Sequence, residues 1–384
     1  MKRIISVIIP TKNRQLYAQR TVNQVLALDN DIEVIVHDNS DNDTLYTLIK
    51  DRIDNDRLKY AYEKEALSFS ENYNRAAELA DGDYFCAIGD DDGVLPNIVE
   101  CAKWMGNNGI DIVKPSKDQV YFYPGNINKK KNACLGFGNY TGSYYFTNPE
   151  SSVISLLDDG GCNYLEKDLA GSYHGLVTME AMNAVKHITG KYYAGLTPDM
   201  YSVICLSLLP NIKFAVVDYP ITLPGVCPSS GSAASDSGKH VGKLEDAPHL
   251  KALPDYEWSD YIPRYYSVET IWAETMIYAI KQMGRSELIE RYFNEKKLAA
   301  NMYTRNKSHQ TDILKALPAD LSEYVTSSCR SDKQPDNRIC SILEKAAIKL
   351  SGERKVFRNI NEISDATNRF YNALQENGMC PPWT

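Results

Sequence analysis

Four apolar runs near the start of the chain alternate with three stretches of helical character, and that alternation restricts the fold more than any other feature. Ile4-Ile5-Ser6-Val7-Ile8-Ile9 is β-branched and ends at Pro10. Ile32-Glu33-Val34-Ile35-Val36, Leu58-Lys59-Tyr60-Ala61 and Asp83 to Ile88 repeat the pattern. Short apolar runs rich in Val and Ile, bounded by polar residues, read as strands buried on both faces. Helices are expected over residues 14–26, 43–53 and 71–80, the last capped by Ser70 and ended by Gly82. Strand and helix in alternation imply a mostly parallel sheet flanked by helices. Such sheets take their ligand in the crevice outside the carboxyl ends of the strands.

Three polar sets fall just after these strands: Pro10-Thr11-Lys12-Asn13-Arg14, Asp38-Asn39-Ser40 and Asp90-Asp91-Asp92. They are expected along one edge of the sheet. The acidic set stands between Gly89 and Gly93, which let the backbone turn sharply. Three adjacent carboxylates repel one another unless a cation or a row of donors neutralises them. Hard oxygen ligands of this kind suit Mg²⁺ or Mn²⁺, which in turn bind phosphates. An acidic turn capping the next helix is the plainer alternative.

Downstream, residues 110–113, 119–123, 176–178 and 213–217 read as strands, and residues 124–149 as a long surface excursion. A helix is expected over 179–187, and another runs from Thr197-Pro198-Asp199 to Leu209. Residues 228–242 are rich in Ser and Gly, the composition of a linker or lid. Beyond residue 255 the pattern is helical without a convincing strand, with helices at 268–283, 286–297, 338–350 and 360–374. This divides the chain into a catalytic domain, 1–250, and an all-helical C-terminal domain, 251–384. A net charge of −8 argues against nucleic acid as a partner. Nine cysteines without a C-x-x-C pair, and no signal peptide or membrane-spanning run, point to a cytoplasmic protein.

With these motifs in place, the chain resembles the family 2 glycosyltransferases, inverting bacterial enzymes of the GT-A fold, over about residues 3 to 240. Ser6-Val7-Ile8-Ile9-Pro10-Thr11-Lys12-Asn13-Arg14 is similar to their opening strand and nucleotide-contacting turn. Val36-His37-Asp38-Asn39-Ser40 looks like their second acidic motif, Asn72-Tyr73-Asn74-Arg75 follows their third, and Asp90-Asp91-Asp92 holds the place of their Asp-x-Asp. The resemblance implies donor contacts from Pro10, Thr11, Asn13, Arg14, Asp38, Asn39, Asn74, Asp90 and Asp91. It implies a divalent ion, Mn²⁺ or Mg²⁺, on Asp91, Asp92 and His240. Asp199, after Thr197-Pro198, takes the position of the family's catalytic base, although Pro198 stands where relatives often have Glu. The bland alternative for Asp199 is a first-turn residue favoured by the helix dipole.

The expected activity is sugar transfer from a nucleotide-diphosphate sugar, most commonly a UDP-sugar in this family, to a glycan or lipid-linked glycan in surface polysaccharide synthesis. The chain lacks the Gln-x-x-Arg-Trp sequence of processive synthases, so non-processive transfer is expected. A sugar-nucleotide nucleotidyltransferase is one alternative, although Pro10 to Arg14 has no phosphate-cradling Gly. A non-catalytic glycan-binding scaffold is the other. The C-terminal helices are open to three roles: acceptor binding, homodimerisation, or peripheral contact with the inner face of the membrane.

Overall fold

The computed structural model describes residues 3–53, 56–125, 131–230, 241–253, 255–328 and 355–383. The first strands are β1 (Ile5–Thr11), β2 (Ile32–Asp38), β3 (Leu58–Tyr62), β4 (Tyr84–Ala87) and the short β5 (Gly93–Val94). They are followed by β6 (Ile112–Pro115), β7 (Val120–Phe122), β8 (Cys134–Phe137), β9 (Tyr144–Phe146) and β10 (Leu176–Thr178). β11 (Phe214–Val217), β12 (Thr222–Leu223), β13 (Gly225–Val226) and β14 (Lys355–Arg358) complete the set.

The main sheet has the order β3-β2-β1-β4-β10-β6-β11-β9. Its first four strands are parallel, while β10 and β9 run against their neighbours. β1 and β2 are buried along their whole length, which fits their near-continuous apolar sequence. Fully burying an aliphatic side chain contributes about 1.5–3 kcal/mol, so Ile5, Val7, Ile8 and Ile9 anchor the sheet's centre.

The helices are α1 (Gln15–Leu26), α2 (Thr44–Ile53), α3 (Phe69–Ala77), α4 (Ile98–Asn108), α5 (Pro149–Asp158), α6 (Met179–Thr189) and α7 (Pro198–Ser207). Ser68, not Ser70, caps α3: its hydroxyl accepts from the backbone N–H of Glu71. Ser68-Phe69-Ser70-Glu71 carries the Ser-x-x-Glu capping signature, which the expectation of Ser70 passed over.

The region read as a surface excursion, residues 124–149, contains two strands instead. β8 buries Cys134, Leu135 and Phe137 and belongs to a second sheet, β13-β7-β8-β14. Its partner β14 is a strand in the C-terminal region, where the sequence suggested helices alone. Lys355–Arg358 alternates half-buried and exposed residues, a period-two pattern too short to stand out.

The C-terminal region is otherwise helical: α8 (Val268–Gln282), α9 (Ser286–Tyr292), α10 (Glu295–Arg305), α11 (Gln310–Ala316), α12 (Ala319–Ser328) and α13 (Ile363–Glu376). The expected helix over 286–297 breaks in two because Asn294 caps α10, accepting from Lys297 N–H. The helix expected over 338–350 lies outside the described residues.

These helices share the two hydrophobic cores of the sheet. On one face, Ile8 and Phe85 join a cluster with Met276, Ile280, Leu298 and Val325. On the other, Ile9 and Val94 join Ile363, Phe370 and Leu374 of α13. Among the described residues no helix is long and apolar enough to cross a membrane.

Within α8, Glu274 is buried and accepts from the Tyr256 hydroxyl and the Ser259 N–H. Burial pushes its carboxyl up to about 7 from 4.5, so the native state holds this proton more tightly than the unfolded chain. Its contribution to stability therefore falls as pH rises from about 4.5 through about 7. A shift of this size corresponds to about 3 kcal/mol at most. Glu274→Gln is expected to lose that dependence, so that denaturant titrations at pH 5 and pH 8 show the variant gaining on the wild type at the higher pH. An unchanged difference at the two pH values would refute it.

Candidate active site

β1, β2 and β4 are adjacent and parallel, and Thr11 lies directly opposite Asp38 in the register. The turns after these three strands therefore share one edge, as the alternating sequence requires. They are also bound to one another. Asn13, in the left-handed region at φ 59°, donates its backbone N–H to Ser40 Oγ at 2.7 Å. Its side chain exchanges hydrogen bonds with Asp41. Asn72 on α3 donates to the Thr11 carbonyl and lies 2.7 Å from His37 Nδ1.

The acidic turn is buried and fully supported. α1 holds its backbone from below: Thr21 Oγ1 lies within hydrogen-bonding distance of the carbonyls of Asp90 and Asp92, and Gln24 pairs with both backbone groups of Val94. Thr11 Oγ1 donates to Asp90 Oδ2 at 2.5 Å. The Arg14 guanidinium forks over the same carboxylate, with Nη2 at 2.6 Å from Oδ1 and Nε at 3.1 Å from Oδ2. Arg14 Nη1 reaches Asp91 Oδ1 more loosely, at 3.4 Å. Burial pushes the Asp90 carboxyl up to about 7 while Arg14 draws it down. Burial likewise opposes the charge on Arg14, but Asp90 and Asp91 hold its pKa above the usual arginine value.

The three carboxylates differ in what they have left to bind. Asp92 Oδ2 accepts from Gly89 N–H at 2.6 Å and the Tyr173 hydroxyl at 3.0 Å, and lies 3.2 Å from His174 Nε2. Its Oδ1 accepts from Gly225 N–H at 2.7 Å. Burial opposes ionisation there, but His174 and these donors hold the carboxyl below its usual range. Asp92 is thus committed to clamping the turn, which leaves little capacity for the metal expected on it. Asp91 uses one oxygen, Oδ2, to accept from Cys227 N–H at 3.0 Å. Its Oδ1 faces Arg14 at 3.4 Å, the loosest ion-pair contact of the turn.

Two glycines permit this geometry. A Cβ at Gly225 would stand 1.8 Å from the Asp91 carbonyl, so only glycine lets β13 approach. A Cβ at Gly89 would meet Asp92 Oδ2 at 2.9 Å, so the clamp itself excludes a larger residue there. Asp92→Ala is expected to cost about 3–5 kcal/mol of folding stability, because it strands buried donors of Gly89, Gly225 and Tyr173. Urea unfolding monitored by circular dichroism checks this, and a loss under about 1 kcal/mol would contradict the clamp.

Other expected donor contacts have structural duties. Asn39 donates to the carbonyls of Glu63 and Glu65 and accepts from Lys12 Nζ and Leu67 N–H. That exhausts its side chain, which braces the β3–α3 connection and has nothing free for a ligand. Asn74 accepts from the N–H groups of Tyr192 and Tyr193, holding the segment that leads to α7. Asp38 is fully buried, accepting from Tyr60 hydroxyl and Ser40 N–H. Pro10 is buried within β1 opposite His37. His240 lies outside the described residues.

Asp199 occupies the first turn of α7 behind Pro198, but it does not cap the helix; Thr197 is the N-cap residue and makes no side-chain cap bond. The Asp199 carboxylate accepts a hydrogen bond from the Tyr164 hydroxyl instead. Tyr164 in turn packs edge-on against Trp272 of α8, with ring centroids 4.8 Å apart.

Two residues that the motifs left without a role feel the charges of both the acidic turn and Asp199. Tyr73 is half-buried, and desolvation together with the charges of Asp92, Asp199 and Asp90 raises its hydroxyl well above the usual tyrosine range. Lys117 donates to the Tyr173 carbonyl at 2.8 Å. Burial and Lys114 push Lys117 down to about 8, while Asp199 and Asp92 draw it up. Tyr73 sits inside a motif that sequence reading did quote, whereas Lys117, in the β6–β7 turn, carries no local signal.

A mostly parallel α/β sheet with an acidic turn at its carboxyl edge and a helix-start carboxylate nearby is the architecture of the GT-A fold. Residues 6–169 match the family model described as glycosyl transferase family 2, and the protein is a glycosyltransferase. No curated protein matches the chain. Among solved structures it is similar to S. aureus TarS 1–349 in complex with UDP-GlcNAc, at 14% identity and a TM-score of 0.46. That likeness covers 98% of this chain and 92% of the other. A mannosyltransferase, PcManGT from Pyrobaculum calidifontis in complex with GDP-Man and Mn²⁺, is similar at 13% identity and a TM-score of 0.39, over 87% of this chain and 89% of that one.

Proposed function

We propose that this glycosyltransferase moves a sugar from a nucleotide-diphosphate sugar to a hydroxyl of a glycan or lipid-linked glycan, with inversion and with help from a divalent ion. The observation that carries the reading is the division of labour in the acidic turn. Asp90 pairs closely with Thr11 and Arg14, and Asp92 is taken up by its four-way clamp, while Asp91 Oδ1 has only a loose 3.4 Å contact with Arg14.

Among the described residues no three His, Cys, Asp or Glu side chains converge as a metal cage. The donor set instead fits an ion with one protein carboxylate, Asp91, and the donor's phosphates and water as its remaining ligands, the habit of Mg²⁺. When bound, that ion stabilises negative charge on the departing diphosphate. Arg14 and the turn's backbone position the diphosphate edge.

Asp199 is the base. The acceptor oxygen attacks the anomeric carbon, the bond from that carbon to the β-phosphate oxygen breaks with its electron pair leaving on the diphosphate, and the acceptor proton passes to the Asp199 carboxylate. Support for this comes from its engagement with Tyr164 rather than with the helix end. The Tyr164 hydroxyl fixes the rotamer. A surface-polysaccharide acceptor and a UDP donor follow from the family resemblance, and the region 251–384 is proposed as the acceptor-side domain.

The test is a calorimetric binding and hydrolysis screen of UDP-, GDP- and dTDP-sugars with Mn²⁺ or EDTA. One donor bound in a Mn²⁺-dependent way and slowly hydrolysed is the expected result. Binding that is identical in Mn²⁺ and EDTA would rule out the metal role, and no binding of any donor would rule out the transferase chemistry.

A further inference from the structure

We propose that Arg14 is a resident counter-cation of the acidic turn, which a divalent ion has to displace from Asp91 before it can bind. The inference rests on the metal role of Asp91 argued above and adds a built-in competitor to it. Asp90 and Asp91 are both buried, and two adjacent carboxylates without a cation would repel strongly in such a place. Arg14 supplies the positive charge from the chain itself.

Its two attachments are unequal. The fork onto Asp90 is short, at 2.6 and 3.1 Å, whereas the reach to Asp91 Oδ1 is 3.4 Å. The guanidinium can therefore give up Asp91 and keep Asp90. Asp91 Oδ2 is fixed by Cys227 N–H, so the oxygen that an incoming ion needs is the one Arg14 faces.

Arg14 is also placed to move. It is the N-cap residue of α1, outside helical geometry at φ −127°, and its side chain is about one-quarter exposed, unlike those of the aspartates. Its remaining neighbour is the Cys227 thiol, 3.7 Å from Nη1, a weak partner. A diphosphate entering with the ion offers the guanidinium a better partner than the one it surrenders. Metal alone is thus disfavoured, and metal together with a nucleoside diphosphate is favoured.

The experiment titrates Mn²⁺ into the full chain without nucleotide, reading free Mn²⁺ by electron paramagnetic resonance. Wild type, Arg14→Gln and Arg14→Lys are compared, and UDP binding to wild type with Mn²⁺ or EDTA is measured in parallel. Arg14→Gln is expected to bind Mn²⁺ about tenfold more tightly than wild type, or better, because a charge competitor is gone. Arg14→Lys, whose single amine cannot bridge both carboxylates, is expected about threefold to fivefold tighter, and it carries the test if the glutamine variant folds poorly.

Adding Asp91→Asn to either variant is expected to abolish the gain. Affinities within twofold of wild type, with Mn²⁺-dependent UDP binding intact in the wild type, would overturn the counter-cation role and leave the metal reading standing. Absence of any Mn²⁺ dependence in wild-type UDP binding would overturn the metal reading and this inference with it.

Discussion

Asp199→Ala is expected to lower kcat by about 10²–10⁴-fold while sugar-nucleotide binding stays within about twofold of wild type. The two halves of that expectation come from different parts of the site. Proton removal from the acceptor is needed only as the new bond forms, so losing the base raises the barrier without touching the bound donor. In the proposed reaction the donor's phosphates, in contrast, are addressed by the edge turns, whereas the Asp199 carboxylate is bonded to the Tyr164 hydroxyl. Single-turnover transfer assays with calorimetric donor binding separate the two. Tyr164→Phe serves as the internal comparison: it keeps the carboxylate and its packing on Trp272 but removes the hydroxyl that orients it. Its effect should fall on kcat and be much smaller than that of Asp199→Ala. A variant at Asp199 that retained near-wild-type turnover would return this residue to the role of an ordinary first-turn aspartate.

Asp91→Asn is expected to weaken UDP binding in the presence of Mn²⁺ by about 100-fold or more, down to the level that wild type shows in EDTA. Asparagine is nearly isosteric and can still accept from Cys227 N–H, so the turn should keep its shape. What it loses is the charge that a hard cation seeks. Asp90→Asn and Asp92→Asn test the division of labour from the other side. Asp92 is expected to show itself mainly as lost stability, because its oxygens are filled by Gly89, Gly225, Tyr173 and His174. Metal-dependent binding that survived in Asp91→Asn and vanished in Asp92→Asn would reverse the assignment.

Much of this site was legible before any coordinates. The period of the apolar runs made β1, β2 and β4 parallel neighbours, and that alone put Thr11, Asp38 and Asp90 on one edge. The glycines around the aspartates announced a sharp turn. Less legible was which polar side chains would be used up in holding the site together. Asn39 and Asn74 look like ligand contacts in a motif, yet Asn39 is saturated, and the Asn74 carbonyl oxygen is taken by backbone groups more than a hundred residues away. Nothing local distinguishes a brace from a contact, because hydrogen-bond capacity is spent across the fold and not along the chain.

The same distinction separates the two ends of the molecule. Local periodicity and turn chemistry determined the strands around the carboxyl edge, most helices and the candidate acids, since each depends on residues within a few positions of one another. Tertiary structure alone decided that Asp92 clamps while Asp91 is held more loosely, that Arg14 pairs with Asp90, and that Tyr164 engages Asp199. It also decided that β14 completes the sheet begun by β7 and β8, and that α13 lies against β5 behind the acidic turn. The physical reason is common to all of these. They are outcomes of burial, which desolvates polar groups and obliges each to find a partner wherever the packed chain supplies one.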